Sequence, residues 1–234
     1  MWIFSSPKDY SEMIEKISKT TFMVSVLILY FLSCINNEFA VFLKTISFGI
    51  QMKFINIELS LSCLYIPLFI GVMEHIFKLH DKMSNLLQIR ASYDKNIIVK
   101  QMIENSGIKY KTEQLTKEKV KLIMNKVFYK YTSSTNPQID KHYITLALNG
   151  WCWFWILLDI TVLITIMLVV FTILNCVAKN IILSIAILMI LLAFLILIYF
   201  QNKKYTQLEI EAVFSDDNRK NEIKKELRNA LYNR

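Results

Sequence analysis

The run "IILSIAILMILLAFLILIYF", Ile181–Phe200, decides the fold, because it holds 20 consecutive residues without a charge. As a helix it covers about 30 Å, the thickness of a bilayer's hydrocarbon core. A soluble domain alternates apolar residues with polar ones, whereas here they are clumped. The whole chain is 54% hydrophobic with a mean hydropathy of +0.38. These features make it a membrane protein.

Upstream of that run lies "WCWFWILLDIT", Trp151–Thr161, the start of another long apolar stretch. Asn136-Pro137 reads as a helix cap followed by proline at the first helical position. One helix is expected from there through Tyr143 to about Asn175, with a short turn at Cys176–Asn180 before the last span. Nearer the N-terminus, a short span is expected at about Thr20 to Asn36. A second is expected at about Ile55 to Met73, kinked at Pro67 and continuing through "EHIFKLHDKMSNLLQI".

The resulting fold class is an all-α integral membrane protein: four transmembrane helices as two hairpins, with a helical cytosolic insert and tail. Residues 1–19 form an amphipathic N-terminal segment, with Met13, Ile14 and Ile17 at helical spacing. Residues 20–73 make the first transmembrane hairpin and residues 74–145 a basic helical insert. Residues 146–200 make the second hairpin and residues 201–234 the tail.

Charge supports that layout. The insert carries 13 Lys/Arg against 7 Asp/Glu. With four spans and both termini inside, 24 of the 27 basic residues fall on the cytoplasmic side, leaving only Lys44, Lys53 and Lys179 outside. Such asymmetry orients multi-pass proteins, so the expected location is the bacterial inner membrane with both termini cytoplasmic. The bilayer is the first expected partner, since lysines near an anionic leaflet gain about 1 kcal/mol each. The lysines are not interleaved with stacking aromatics, so no direct nucleic-acid binding is expected. Cys34, Cys63, Cys152 and Cys176 lie in or beside apolar runs with no CxxC pair, and read as small hydrophobes rather than disulfide partners.

Within the insert, Thr116 reads as an N-cap. Val120, Ile123, Met124, Val127, Phe128 and Tyr131 then follow at helical spacing as one apolar packing stripe. It needs a partner, either a tail helix marked by Ile223, Leu227 and Leu231 or a neighbouring subunit.

Asp159 is the main intramembrane polar candidate. On insertion scales a central Asp costs roughly 2.5–3.5 kcal/mol, while each Leu or Ile returns about 0.3–0.6. The span still inserts, but the carboxylate should face a helix interface, a water-filled space or a partner subunit, or else reach the headgroups. Glu58, at the outer edge of the second span, is the other candidate. Trp151, Trp153 and Trp155 read as an interfacial aromatic belt. Glu74, His75, His80 and Asp81 have ligand chemistry, but the histidines are five apart rather than four, so a solvated face is preferred to a metal site. No GxSxG, P-loop, GxGxxG or HExxH occurs, and the chain is read as a non-enzyme with no cofactor and no metal.

In its order of spans, insert and tail, the chain resembles the small four-span membrane proteins of bacterial anti-phage defence systems. These include the membrane subunit of Kiwa and the four-span effectors of cyclic-oligonucleotide signalling. The resemblance implies a homo-oligomeric inner-membrane effector or sensor, acting by membrane perturbation or by signalling to a cytosolic protein partner. It transfers no site residue. Two other readings stand beside it. One is a small ion channel or transporter subunit using Asp159, with Ser25, Ser62, Thr161, Thr165 and Thr172 as further polar positions. The other is a membrane-tethered adaptor or immunity protein.

Overall fold

The computed structural model describes residues 5–48, 50–54, 57–173 and 178–232. Among the described residues the regular structure is helical apart from one short strand pair, and the chain divides into two compact units. The first comprises residues 14–80 and 152–198; the second comprises residues 5–13, 81–151 and 199–232.

Helix α1, Tyr10–Ile35, opens the chain. It runs unbroken through the expected junction between an amphipathic segment and a first span. Asn36 ends it and starts α2, Asn37–Ile46, by accepting the Phe39 amide on its side-chain oxygen at 2.8 Å. That cap fixes a short amphipathic helix whose Phe39 and Leu43 are buried in a cluster with Leu29, Leu32, Leu163, Met167 and Phe171. Phe39 meets Phe171 edge-on at 5.2 Å.

The next stretch departs from the expected helical span. Strands β1, Gln51–Phe54, and β2, Ile57–Ser60, pair antiparallel with Gln51 opposite Ser60. Ser60 and Ser62 donate to the Leu43 carbonyl at 3.1 and 2.8 Å and tie this ladder to the end of α2. Because the ladder takes residues 51–60, α3 is only Ser62–Phe77, 16 residues or about 24 Å. Pro67 is buried inside it. The break comes later, at Lys78, where a left-handed φ of 47° turns the chain through 74° into α4, Leu79–Leu86.

Among the described residues, three helices are long and apolar enough to cross a membrane, Tyr10–Ile35, Lys141–Ile173 and Ile181–Val213. The bent pair α3–α4 makes a fourth crossing only if its two parts count as one span. Three of the four expected spans thus correspond to single helices, and the bend in the second falls at Lys78 rather than at Pro67.

The second unit follows the pattern of its sequence more closely. It contains α5 (Ile89–Tyr93), α6 (Lys100–Ser106), α7 (Lys117–Ile123) and α8 (Tyr129–Thr132), with π-helical turns at Asp94–Val99 and Met124–Phe128. Thr116 caps α7 by accepting the Lys119 amide at 3.3 Å. The long helix α9, Lys141–Ile173, begins later than expected. Asp140, not Asn136, accepts its first free amide, from His142 at 2.8 Å.

Helix α10 is Ala178–Val213 and α11 is Asp217–Tyr232. Val120, Ile123, Met124, Val127, Phe128 and Tyr131 are all buried in one cluster with Ile223, Leu227 and Leu231 of α11. The tail helix thus supplies the cover that the stripe requires, within the same chain.

Candidate intramembrane polar site

The first unit buries an unusual number of polar side chains for a set of apolar helices. They come from α1, α3, α4 and α9. A close approach of α1 and α3 begins the site. A Cβ on Gly71 would stand 3.4 Å from the Phe22 Cβ and 3.5 Å from the Ser18 carbonyl, ordinary contact distances that show how near the two helices run. Ser18 Oγ donates to the Gly71 carbonyl at 2.8 Å and locks that approach.

One turn farther along α3, Glu74 is fully buried, and His80 is 1% exposed. Their side chains pair through His80 Nδ1 and Glu74 Oε1. The His80 backbone amide also donates to Glu74 Oε2 at 3.2 Å. The left-handed Lys78 makes this possible by folding the start of α4 back toward α3. The Glu74 carboxylate then satisfies an amide that the first turn of α4 leaves without an intrahelical partner, and it lies at the positive end of that helix. The His80 ring lies 5.8 Å from the ring of Trp155.

Asp159 comes from α9 and is 7% exposed. Thr21 Oγ1 donates to its Oδ2 at 3.3 Å. The charge of Glu74 acts on Asp159. Like charges in a low-dielectric site repel, so Glu74 adds to the cost of a charged Asp159. Asp159 Oδ1, Thr20 Oγ1 and Ser25 Oγ are buried and have no hydrogen-bond partner among the described residues. Buried oxygens of this kind are ordinarily satisfied by water, a proton or an ion.

Four of the five secondary polar candidates are already occupied. Thr161, Thr165 and Thr172 donate back to the carbonyls of Leu157, Thr161 and Leu168 at 2.7–2.9 Å. Ser62 is held by Leu43 as described. Of the five secondary candidates only Ser25 leaves its oxygen unspent.

The three tryptophans do not form one surface. Trp151 packs edge-on against Tyr93 in the second unit at 4.7 Å. Trp153 lies 4.8 Å beneath the buried ammonium of Lys16, a cation–π contact. Trp155 is buried beside His80. Glu58 belongs to β2, where its backbone pairs with Lys53, and its side chain lies outside the described residues, as does Cys176.

The group Glu74, His75, His80 and Asp81 is divided between the two units after His80. Glu74 and His80 pair, while Asp81, in the second unit, accepts from Tyr10 at 2.8 Å. No cluster of three or more metal-ligating side chains occurs among the described residues. The sequence thus pointed to Asp159 but read Glu74 and His80 as part of a solvated face, whereas both are buried and paired with each other.

All of these residues fall inside the stretch 9–227 that matches the model of the YmfE protein family. The chain belongs to that family. A relative within reach of direct comparison is the protein YmfE of Escherichia coli (strain K12), which is uncharacterized. It is 29% identical over 168 residues, 69% of this chain and 68% of that protein. No solved structure matches the chain.

Proposed function

We propose that this member of the YmfE family works in the bacterial inner membrane as a small channel or transporter subunit, without enzymatic chemistry, and that Asp159 and Glu74 hold the proton or cation it passes. The observation that carries this reading is the buried carboxylate pair, supported by Thr21 on one side and His80 on the other. Ionisable groups at membrane depth are costly, and linked Asp, Glu and His side chains are the usual makings of a proton relay. The unspent oxygens of Thr20 and Ser25 extend that array along α1.

The topology follows the same logic. Residues 5–13, 81–151 and 199–232 gather in one compact unit, which supports an even number of crossings between them. The bent pair α3–α4 then makes the return crossing, and both termini are cytoplasmic, in agreement with the basic residues.

The homo-oligomeric effector or sensor is the second reading. Its support is the exposed apolar face of α10, where Met189, Phe194 and Leu197 have no cover. Lipid or a second copy would supply it. An anti-phage role belongs to this reading, and neither the family match nor the relative bears on it.

Purified protein in proteoliposomes loaded with a pH-sensitive dye tests the first reading. An imposed pH gradient and a potassium-valinomycin potential should drive proton or cation flux in the wild type, and Asp159→Asn should reduce it to the empty-vesicle rate. Equal flux in the Asn variant, or none in the wild type, overturns the carboxylate pathway and leaves the effector or sensor.

A further inference from the structure

The second unit contains a cavity of about 650 Å³ between two segments, residues 85–96 and 115–129. That is within the range of small-molecule sites, roughly 300–1,000 Å³. Its lining is strongly cationic. Arg90, Lys95, Lys117 and Lys121 face a single carboxylate, Asp94, among the described residues. Leu115, Val120 and Met124 give one apolar wall, and Tyr129 adds an aromatic face.

Local backbone departures converge on the same place. Each wall carries a π-helical turn, Asp94–Val99 on one side and Met124–Phe128 on the other. The extra residue in each turn widens the helix and re-aims the side chains next to it, a feature concentrated at functional sites. Gln88, also in the lining, holds a left-handed φ of 54° without being glycine, a conformation that persists only where its surroundings enforce it.

The cations are positioned rather than loose. Arg90 donates through Nη2 to the Tyr129 hydroxyl at 2.9 Å, and its backbone amide donates to Ser84 Oγ at 3.3 Å. Lys95 Nζ is held by the Leu115 carbonyl at 3.0 Å. Lys117 and Lys121 are exposed and one helical turn apart on α7, so both can bend toward one bound group.

We propose that this cavity binds a phosphate-bearing ligand, with Arg90 and Lys95 fixing the phosphate, Lys117 and Lys121 closing over it, and the Leu115–Val120–Met124 wall taking the apolar part. Arg supplies a planar fork to phosphate oxygens and Lys a movable point charge. A soluble phosphate ester and an anionic lipid headgroup share this chemistry. The lipid enters because Leu86 and Leu87, 82% and 57% exposed, stand between the lining residues Asn85 and Gln88.

The test uses the full chain, first in detergent with inorganic pyrophosphate and ADP, then in nanodiscs of phosphatidylglycerol or phosphatidylcholine, with binding read by calorimetry and ³¹P NMR. Wild type should bind saturably. Lys117→Gln and Lys121→Gln should each weaken binding about tenfold. Lys203→Gln/Lys204→Gln, outside the lining, should leave it unchanged.

Binding of pyrophosphate or ADP without lipid assigns a soluble ligand. Binding confined to phosphatidylglycerol discs assigns the headgroup. No saturable binding to any probe, or equal loss in the Lys203/Lys204 control, overturns the proposal. Matching circular dichroism of the variants separates lost binding from lost folding.

Discussion

Asp94 gives the second unit a pH dependence whose sign and size follow from its surroundings. Burial raises its pKa from 3.8 to about 6, and Arg90 offsets only part of that rise. Between those values the folded chain keeps a proton that the unfolded chain has already lost. Stability is therefore highest below about pH 4, falls as pH rises to about 6, and is level above that. The full difference is worth about 3 kcal/mol. Asp94 is only half-buried, so solvent screening brings the measurable effect to about 1–3 kcal/mol.

Asp94→Asn keeps the shape and removes the ionisation. The variant should match wild type near pH 4 and exceed it by that amount at pH 7. Urea unfolding in a mild detergent, followed by tryptophan fluorescence at several pH values, measures the difference directly. A gap between the two proteins that does not change from pH 4 to pH 7, or an Asn variant that is less stable at pH 7, refutes the argument.

Two packing predictions complement it. Leu227 is fully buried between α11 and the Val120–Tyr131 stripe, so Leu227→Ala should cost about 2–5 kcal/mol and open the tail helix to protease before the rest of the chain. At Gly150 an added Cβ would run into the Asn202 amide and come within 3.2 Å of Tyr205. Gly150→Ala should therefore cost about 1–3 kcal/mol. Asn202→Ala should recover most of it at little cost of its own, since the buried Asn202 amide has no partner among the described residues. Additive effects in that double-mutant cycle would show that the two positions do not collide.

Where the sequence was informative, one periodicity ran long enough to be read. The uncharged run of Ile181–Phe200 and the 3.6-residue stripe after Thr116 both correspond to observed helices because a single physical requirement, burial in lipid or against α11, governs every position. Residues 51–60 carry no such run. The pairing of Gln51–Phe54 with Ile57–Ser60 is tied to the end of α2 by Ser60 and Ser62, contacts that leave no strong local signal. Asn136-Pro137 had the chemistry of a helix start, but Asp140 lies one turn downstream with an equally good cap, and the helix begins there.

Glu74 and His80 were unreadable for a geometric reason. Six residues along a continuous helix is about 600° of rotation, which sets two side chains about 120° apart and about 9 Å along the axis. A helix through both therefore predicts that they never meet. Lys78 breaks that inference with a left-handed φ of 47°, a conformation usually signalled by glycine or asparagine. Once the chain turns there, Glu74 receives both the ring and the backbone amide of His80.

Irregular backbone at membrane depth is tolerated only where protein or an internal cavity satisfies the freed amides. Glu74 provides that satisfaction in part, and its charge then bears on Asp159. The break in α3–α4 and the carboxylate pair are thus one feature. A straight second span would carry His80 away from Glu74 and leave that buried carboxylate without the ring and the amide that the break brings to it.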